Sequence, residues 1–371
     1  MTIKDINSSK HIVLTLDAGG TNFVFSAIQA NQEIVAPLKY PSHADNLEKC
    51  LSTIVKGFEI VLTSIARKAD AISFAFPGPA NYEKGIIGDL PNLPAFRGGV
   101  ALGPMLEEKF NLPVFINNDG DLFALGEAIS GRLPEINKKL NDAGSDKKHK
   151  NLIGITLGTG IGCGIIVNHK MLRGDNFCSA EIHNTLNKYS PEWNAEESIS
   201  TRAIQRVYSK QAGIAFNSKL MPKDIFNIAK GQTPGNLEAA KEAFKQFGEN
   251  LGSTVANVVT LIDGLIILGG GITSAWDLFY PAMFREINRQ WHNLNGTRSN
   301  RLSFEVYNLQ DESSFTAYAK GKTTALKVPG SETIIKFDNN PRTGIGVSAL
   351  GASKSIALGA YAFAVQKLSA K

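Results

Sequence analysis

A glycine-rich strand–turn–strand occurs twice in this chain, and that repetition constrains the fold more than any other feature. One copy runs Ile12-Val13-Leu14-Thr15-Leu16-Asp17-Ala18-Gly19-Gly20-Thr21-Asn22-Phe23-Val24. The other runs Ile153-Gly154-Ile155-Thr156-Leu157-Gly158-Thr159-Gly160-Ile161-Gly162-Cys163-Gly164-Ile165. Each starts as a β-branched run, crosses a turn dense in Gly and Thr, and resumes as an apolar run. Minimal side chains let backbone N–H groups and threonine hydroxyls come close to an anion. One such turn is compatible with an ordinary hairpin. Two, one in each half, suggest paired loops holding a single polyphosphate.

The rest of the chain is patterned to match. Apolar residues from about 45 to 68 (Leu47, Leu51, Ile54, Val55, Phe58, Val61, Leu62, Ile65) fall on one helical face. Residues 71–76 read as a buried strand ended by Pro77-Gly78-Pro79. A helix near 100–110, a strand at 114–117 and a helix at 121–131 follow, then a polar loop at about 135–150. Lys147 to Lys150 in that loop read as solvated. The second half shows two strands around its glycine turn and helices at about 196–210, 222–230 and 237–261. A strand at 265–268 ends in Gly269-Gly270-Gly271, and the last helix spans about 354–368. Between Trp291 and Ile345 the pattern is poor. Strands there (304–307, 323–328, 333–337) are expected in an insertion without chemistry, serving an oligomer contact or a lid. Hairpin strands followed by alternating helices and strands, twice over, indicate an α/β protein of two similar domains. The glycine turns lie at the strand carboxyl ends, where such folds bind ligands. The expected domains are 1–120, closed by a helix at 353–371, and 121–352.

Composition narrows the partners. The 371 residues suit two or three domains, and the net charge of +5 is spread without a nucleic-acid stripe. Three cysteines (Cys50, Cys163, Cys178) have no metal or redox spacing. No apolar stretch is long enough to span a bilayer and no signal core is visible. The expectation is a soluble cytoplasmic protein.

Several residues carry candidate chemistry. Asp17, at a strand end before Gly19-Gly20-Thr21, either holds a hydrated Mg²⁺ beside a phosphate or accepts the glycine N–H groups in an Asx-turn. In Asn118-Asp119-Gly120-Asp121 one carboxylate is placed to act as a general base and another to cap the helix. Asp119 suits the first role and Asp121 the second. Glu181, His183 and Asn184, with Glu196 and Glu197, suit the hydroxyls of a sugar, although acidic residues opening a helix are also dipole partners.

Taken in order, these segments resemble the ROK family (repressors, open reading frames and kinases) of the actin/hexokinase-like ATPase superfamily. Asp17-Ala18-Gly19-Gly20-Thr21-Asn22 resembles its first phosphate motif and Leu157-Gly158-Thr159-Gly160-Ile161-Gly162 its second. Pro91-Asn92-Leu93-Pro94 is similar to its turn near the sugar. Asn118-Asp119-Gly120-Asp121 with Ala124-Leu125-Gly126-Glu127 is similar to its catalytic segment. Gly269-Gly270-Gly271 resembles the adenosine motif, and Leu350-Gly351 with Gly359-Ala360 the closing helix. The family's Glu-Ile-Gly-His reads here Glu181-Ile182-His183-Asn184, with the histidine one position early. Glu196, four residues before Ser200, fits the register of the second sugar glutamate. The cysteine cluster that holds zinc in many members is missing from residues 187–194, so no structural zinc is expected, and Trp193 is a candidate to brace that loop.

The resemblance implies two actin/ribonuclease-H-like domains with an interdomain active-site cleft, and an ATP- and Mg²⁺-dependent kinase acting on a glucose-like hexose, most often at O6. Asp119 would be the base. Asn92, Asn118, Glu181, His183, Asn184 and Glu196 would meet the sugar, and the glycine motifs with Thr21, Asn22 and Thr159 the nucleotide. A homodimer is the usual family arrangement. The alternatives are an N-acetylhexosamine kinase (GlcNAc or ManNAc) and a non-catalytic sugar-sensing regulator. A DNA-binding regulator is disfavoured, because only about ten residues precede the first strand, too few for a helix-turn-helix.

Overall fold

The computed structural model describes residues 6–19, 21–78, 80–88 and 94–370. The chain divides into two compact units. One comprises Met1–Pro134, Gly164–Ser179 and Ala349–Lys371, the other Glu135–Cys163 and Ala180–Ser348.

In the first unit β1 (Val13–Ala18) and β2 (Asn22–Gln29) form an antiparallel hairpin across the first glycine turn. β3 (Gln32–Glu33) and β4 (Leu38–Pro41) extend it from β2. β5 (Ala71–Ala75) then runs parallel to β1. A short hairpin, β6 (Ala80–Asn81) and β7 (Ile86–Ile87), precedes β8 (Val114–Asn117), which runs parallel to β5. Helix α1 (Leu47–Ser64) starts where the Asn46 side chain accepts the Lys49 N–H, and it buries Cys50, Ile54, Phe58 and Val61. Phe58 meets Phe25 edge-on, with ring centroids 5.3 Å apart. Ile72 and Phe74 of β5 join this core, together with Leu102 and Leu106 of α2 (Leu102–Phe110). Alternation sends Ser73 to the opposite face, where its hydroxyl donates to the carbonyl of Ala360 at 2.8 Å. That face is covered by the C-terminal helix, Ala352–Leu368, which crosses α3 (Asp119–Ile129).

The crossing explains the Gly126-Glu127 and Gly359-Ala360 pairs. A Cβ on Gly126 would lie 1.9 Å from the Ser355 carbonyl oxygen, and one on Gly359 1.9 Å from that of Leu122. Only glycine permits this approach. Glu127, fully buried, accepts the Ser355 hydroxyl at 2.6 Å and the Arg132 N–H at 2.9 Å.

The second unit is built on parallel strands. β9 (Leu152–Leu157) leads to β10 (Ile161–Val167), which passes from the second unit to the first at Gly164 and turns back as β11 (Lys170–Met171). β12 (Leu265–Gly269) lies parallel to β9. The long helix α7 (Leu237–Ile262), capped by Asn236, carries the core with α8 (Trp276–Ile287); α5 (Thr201–Ala212) and α6 (Pro222–Ala229) precede them.

Two readings of the sequence change here. The stretch at 135–150 is not all loop, since α4 covers Arg132–Asp142 with Leu133, Ile136 and Leu140 buried at helical spacing. Pro134 obscured it, yet in a first turn proline costs no hydrogen bond. Nor is the Lys147–Lys150 stretch simply solvated. His149 is buried, with Nε2 hydrogen-bonded to the Tyr318 hydroxyl, and burial depresses its pKa to about 3, helped by the charges of Lys147 and Arg342. The poorly patterned 291–345 region is also not one insertion. Two exposed hairpins, β13 (Gln290–His292) with β14 (Arg298–Asn300) and Thr323–Lys327 with Ile334–Asp338, flank β15 (Glu305–Asn308) and α9 (Glu312–Lys320), and β15 joins the main sheet beside the strand Arg342–Val347, itself parallel to β12. Its two glycines, Gly344 and Gly346, hid a strand that is almost wholly buried.

Candidate active site

In the first unit the candidate groups collect at the carboxyl edge of the sheet because of register. Asp17 pairs with Ala75 across β1–β5, and Ala75 with Asn117 across β5–β8. The ends of β1 and β8 therefore lie roughly 10 Å apart, two strand spacings. Asn118 and Asp119 follow directly. Helix α3 begins at Asp119, two residues before the expected start, and its N-cap is Asn118 instead of Asp121. The Asn118 Oδ1 accepts the Gly120 N–H at 2.7 Å, which leaves its Nδ2 group available as a donor. Asp121 falls in the first turn, where a carboxylate complements the helix dipole.

Asp119 also accepts from the Gly120 N–H, at 2.9 Å. Its pKa is raised. Burial within the surrounding protein is the main cause, the hydrogen bonds of Gly120 and of its own amide oppose it, and the charge of Asp17 adds to it. The residue itself is solvent-exposed by surface area. A small molecule can therefore reach the carboxylate from solvent.

The first glycine turn closes through Gly19, whose N–H donates to the Asn22 carbonyl at 3.0 Å. Gly19 is therefore not the donor of an Asx-turn to Asp17, which removes half of that alternative. Thr21 is exposed, and its carbonyl accepts the Ser42 N–H at 3.0 Å. Gly20 and Asn92 lie outside the described residues. Asn117, which the sequence reading passed over, is 1% exposed, and neither its Oδ1 nor its Nδ2 has a partner among the described residues. Only its place one residue before the motif could have drawn attention to it.

The second unit gathers its own group. Gly158 donates to the Gly160 carbonyl at 3.0 Å, closing the turn with Thr159 exposed at the tip. Thr201 donates both its N–H (2.9 Å) and its hydroxyl (3.0 Å) to the Gly158 carbonyl. Glu196 reaches the same turn, accepting the Ile161 N–H at 3.1 Å through Oε2 and an Arg202 N–H at 3.0 Å through Oε1. Gly269 ends β12. Gly270 has φ of 90°, and a Cβ there would lie 2.3 Å from the Leu157 oxygen. Beyond it Gly271 lines a largely apolar cavity of about 320 Å³ together with Gly158, Thr201, Phe226, Ile272 and Ala275. Thr201 and Phe226 were not anticipated, and the only local signal was the Met221-Pro222 helix start beside them.

Glu181 and His183 are joined directly, Oε2 to Nδ1 at 2.9 Å, by the short helical turn Ile182–Asn184, and Asn184 stands exposed. This turn lies against the one that carries Glu196, since Ala195 donates to the Thr185 carbonyl at 2.8 Å. The intervening segment is organised by Asn187. Its Nδ2 donates to the Asn194 carbonyl (3.0 Å) and the Ser198 hydroxyl (2.7 Å), while its Oδ1 accepts the N–H groups of Tyr189 and Ser190. Trp193 adds a stacked Arg206, 4.5 Å from the ring centroid. No helix among the described residues is long and apolar enough to cross a membrane.

Two α/β units with glycine turns at the ends of parallel strands, and an acid at a helix start beside one of them, define an actin-like ATPase architecture. The chain belongs to the ROK family, whose sequence profile matches residues 13–316. Among similar solved structures is a glucokinase from Parabacteroides distasonis, 49% identical, with a TM-score of 0.87, covering 97% of this chain and 99% of that one. A ROK family glucokinase from Streptomyces griseus, solved with glucose and AMPPNP, shares the fold at 18% identity and a TM-score of 0.60 over 96% and 99% of the two chains. An N-acetyl-D-glucosamine kinase of Vibrio parahaemolyticus is 27% identical over 296 residues, 73% of this chain and 87% of that protein. The chain thus groups with the family's sugar kinases.

Proposed function

We propose that this protein transfers the γ-phosphoryl group of ATP to a hydroxyl of a glucose-like hexose, at O6, with Asp119 as general base. The observation that carries the proposal is the Asp119 carboxylate itself: accessible, set at a helix start beside a glycine turn, and raised in pKa. A raised pKa brings a carboxylate closer to a hydroxyl in proton affinity, which favours transfer of the proton as the new O–P bond forms. The Asn118 amide would orient the sugar, and Glu181 with His183 would accept and donate to its other hydroxyls. N–H groups of the two glycine turns would meet phosphate oxygens, since phosphoryl transfer depends mainly on positioning and electrostatics. The cavity beside Gly271 suits an adenine ring by its apolar lining.

Asp17, beside the first glycine turn, is a carboxylate that fits Mg²⁺, which takes one or two carboxylates and keeps waters and substrate oxygens for the rest. No described group of three ligand residues exists, so Asp17 would hold the ion largely through water. When bound, the ion would neutralise phosphate charge next to the first turn.

A second reading, an N-acetylhexosamine kinase, is favoured by one feature: exposed Asn184 occupies the family's histidine position and offers an amide to an acetamido group. ADP release with Mg-ATP and single sugars separates the two. The expected result is turnover with glucose and a weaker response to N-acetylglucosamine and N-acetylmannosamine. Asp119→Asn should lower turnover by roughly 10²-fold or more while sugar binding survives. Silence with every sugar, with binding still detectable by thermal shift, would favour a sensor instead.

A further inference from the structure

A cavity of about 310 Å³ lies wholly within the second unit, between α5, α7 and the loop that Asn187 organises. None of the residues assigned above to the sugar or the nucleotide lines it. Its helical walls follow from spacing along the chain. Ala203, Val207 and Lys210 fall at i, i+4 and i+7 on α5, and Ala243, Phe247 and Asn250 at the same intervals on α7. The two helices pack together, and the small alanine in each stripe contributes little side-chain volume, which leaves room between them.

The lining has a definite chemical character. It includes two cations, Arg206 and Lys210, and no carboxylate. Arg206 is already paired with Glu197, whereas exposed Lys210 makes no ion pair among the described residues. Tyr189 and Trp193, 52% and 44% exposed, add aromatic surface of the kind that packs on the C–H faces of a pyranose. Asn250 is the most demanding group. It is 4% exposed, and its Nδ2 donates to the Gln246 carbonyl at 2.8 Å, but its Oδ1 has no partner among the described residues. A buried acceptor left unmet is costly, and a hydroxyl from an occupant of the cavity would satisfy it.

We infer that this cavity is a second ligand site, and that it takes a phosphorylated sugar. The phosphate meets Lys210 with Arg206, the ring packs on the aromatic surface, and a hydroxyl donates to Asn250 Oδ1. A neutral sugar would leave Lys210 unused, and a bare anion would leave Asn250 unmet. The volume is at the small end of ligand pockets and suits one monosaccharide with its phosphate. The inference stands on this cavity and does not rest on the kinase reading. Its occupant lies against the segment that carries Glu196. Arg206 donates to the Glu197 carboxylate at 3.2 Å and to the Glu197 carbonyl, and the Ser198 hydroxyl, also in the lining, accepts Asn187 Nδ2 at 2.7 Å.

Calorimetric titration of the purified chain with glucose 6-phosphate tests this, in excess glucose and AMPPNP so that the candidate active site is filled. One site is expected, with inorganic phosphate bound about tenfold more weakly or worse. Lys210→Glu reverses the unpaired charge and Val207→Trp fills the space. Each should weaken binding about tenfold or more and leave basal turnover and the thermal midpoint near wild type. Asn250→Leu should weaken binding to a similar degree yet hold or raise the midpoint of the ligand-free protein, because it removes an unmet acceptor. Absence of binding, displacement by glucose and AMPPNP, an affinity unchanged in all these variants, or equal affinity for inorganic phosphate would overturn the inference. A chain that binds glucose 6-phosphate in a Lys210-dependent way and phosphorylates no sugar would uphold it and sink the kinase reading alone.

Discussion

The two glycine turns look alike in composition and are built differently. Each is closed by a hydrogen bond of its own, from Gly19 to Asn22 in the first and from Gly158 to Gly160 in the second. The second is clamped from outside as well: by Thr201 with two donors on Gly158, by Glu196 on the Ile161 N–H, and by Gly270 pressed against Leu157. The contrast teaches that a glycine turn closed by its own backbone can stand on backbone contacts or be further buttressed by distant side chains. The second route spends polar side chains that the sequence alone offers to the substrate. Glu196 is the example, since both its oxygens already accept hydrogen bonds within the protein.

If the second turn depends on its surroundings, the largest effect should come from Gly270→Ala. A Cβ at 2.3 Å from the Leu157 oxygen, at a φ of 90°, forces the end of β12 away from the turn. A loss of about 3 kcal/mol or more in chemical denaturation is expected. An unchanged midpoint would mean that the turn is not set by that contact.

Glu196 sharpens the comparison. Glu196→Ala leaves the Ile161 N–H without its acceptor and should cost about 1–3 kcal/mol, with a raised KM for ATP. Glu196→Gln keeps an acceptor oxygen and should recover most of the stability. If Gln and Ala are equally damaging to sugar KM but neutral to stability, Glu196 is a sugar ligand first and a buttress second.

On the first turn the effects should be smaller in stability and visible in pH. Asp119 has a folded pKa above its unfolded value, so the folded state holds a proton that the unfolded state releases. Stability is therefore lost as pH rises through the folded pKa, and Asp119→Asn should raise the neutral-pH thermal midpoint while abolishing turnover. Asp17→Asn should move the midpoint least of all. It removes one of the charges that raise the Asp119 pKa, so the acid limb of the turnover profile should shift to lower pH. A limb that stays in place would separate Asp17 from the base.

Much of this was legible along the chain wherever the determining forces are local. Strands ending in glycine turns, the one-faced helix α1 and the strand β5 appear where their patterns put them. Helix α4 did not, because its proline and lysines mask three buried residues that matter only once a core exists to receive them. The strands of the 291–345 region were expected in an insertion, whereas one of them, β15, extends the main sheet. Sheet membership depends on what a strand pairs with, and Glu305–Asn308 pairs with residues almost forty positions later.

By itself the sequence determined the glycine turns, the acid at the start of α3 and the ROK pattern. Each rests on backbone freedom and spacing between near neighbours. The tertiary structure alone decided that Asn118 and not Asp121 caps the helix, that Asp119 is weakly solvated beside Asp17, and that Glu196 braces a turn 35 residues earlier. It also decided that Asn187 organises its loop, bonding Asn194, Ser198, Tyr189 and Ser190. Those outcomes follow from which groups burial brings together, and hydrogen-bond geometry and desolvation have no value until the chain has folded.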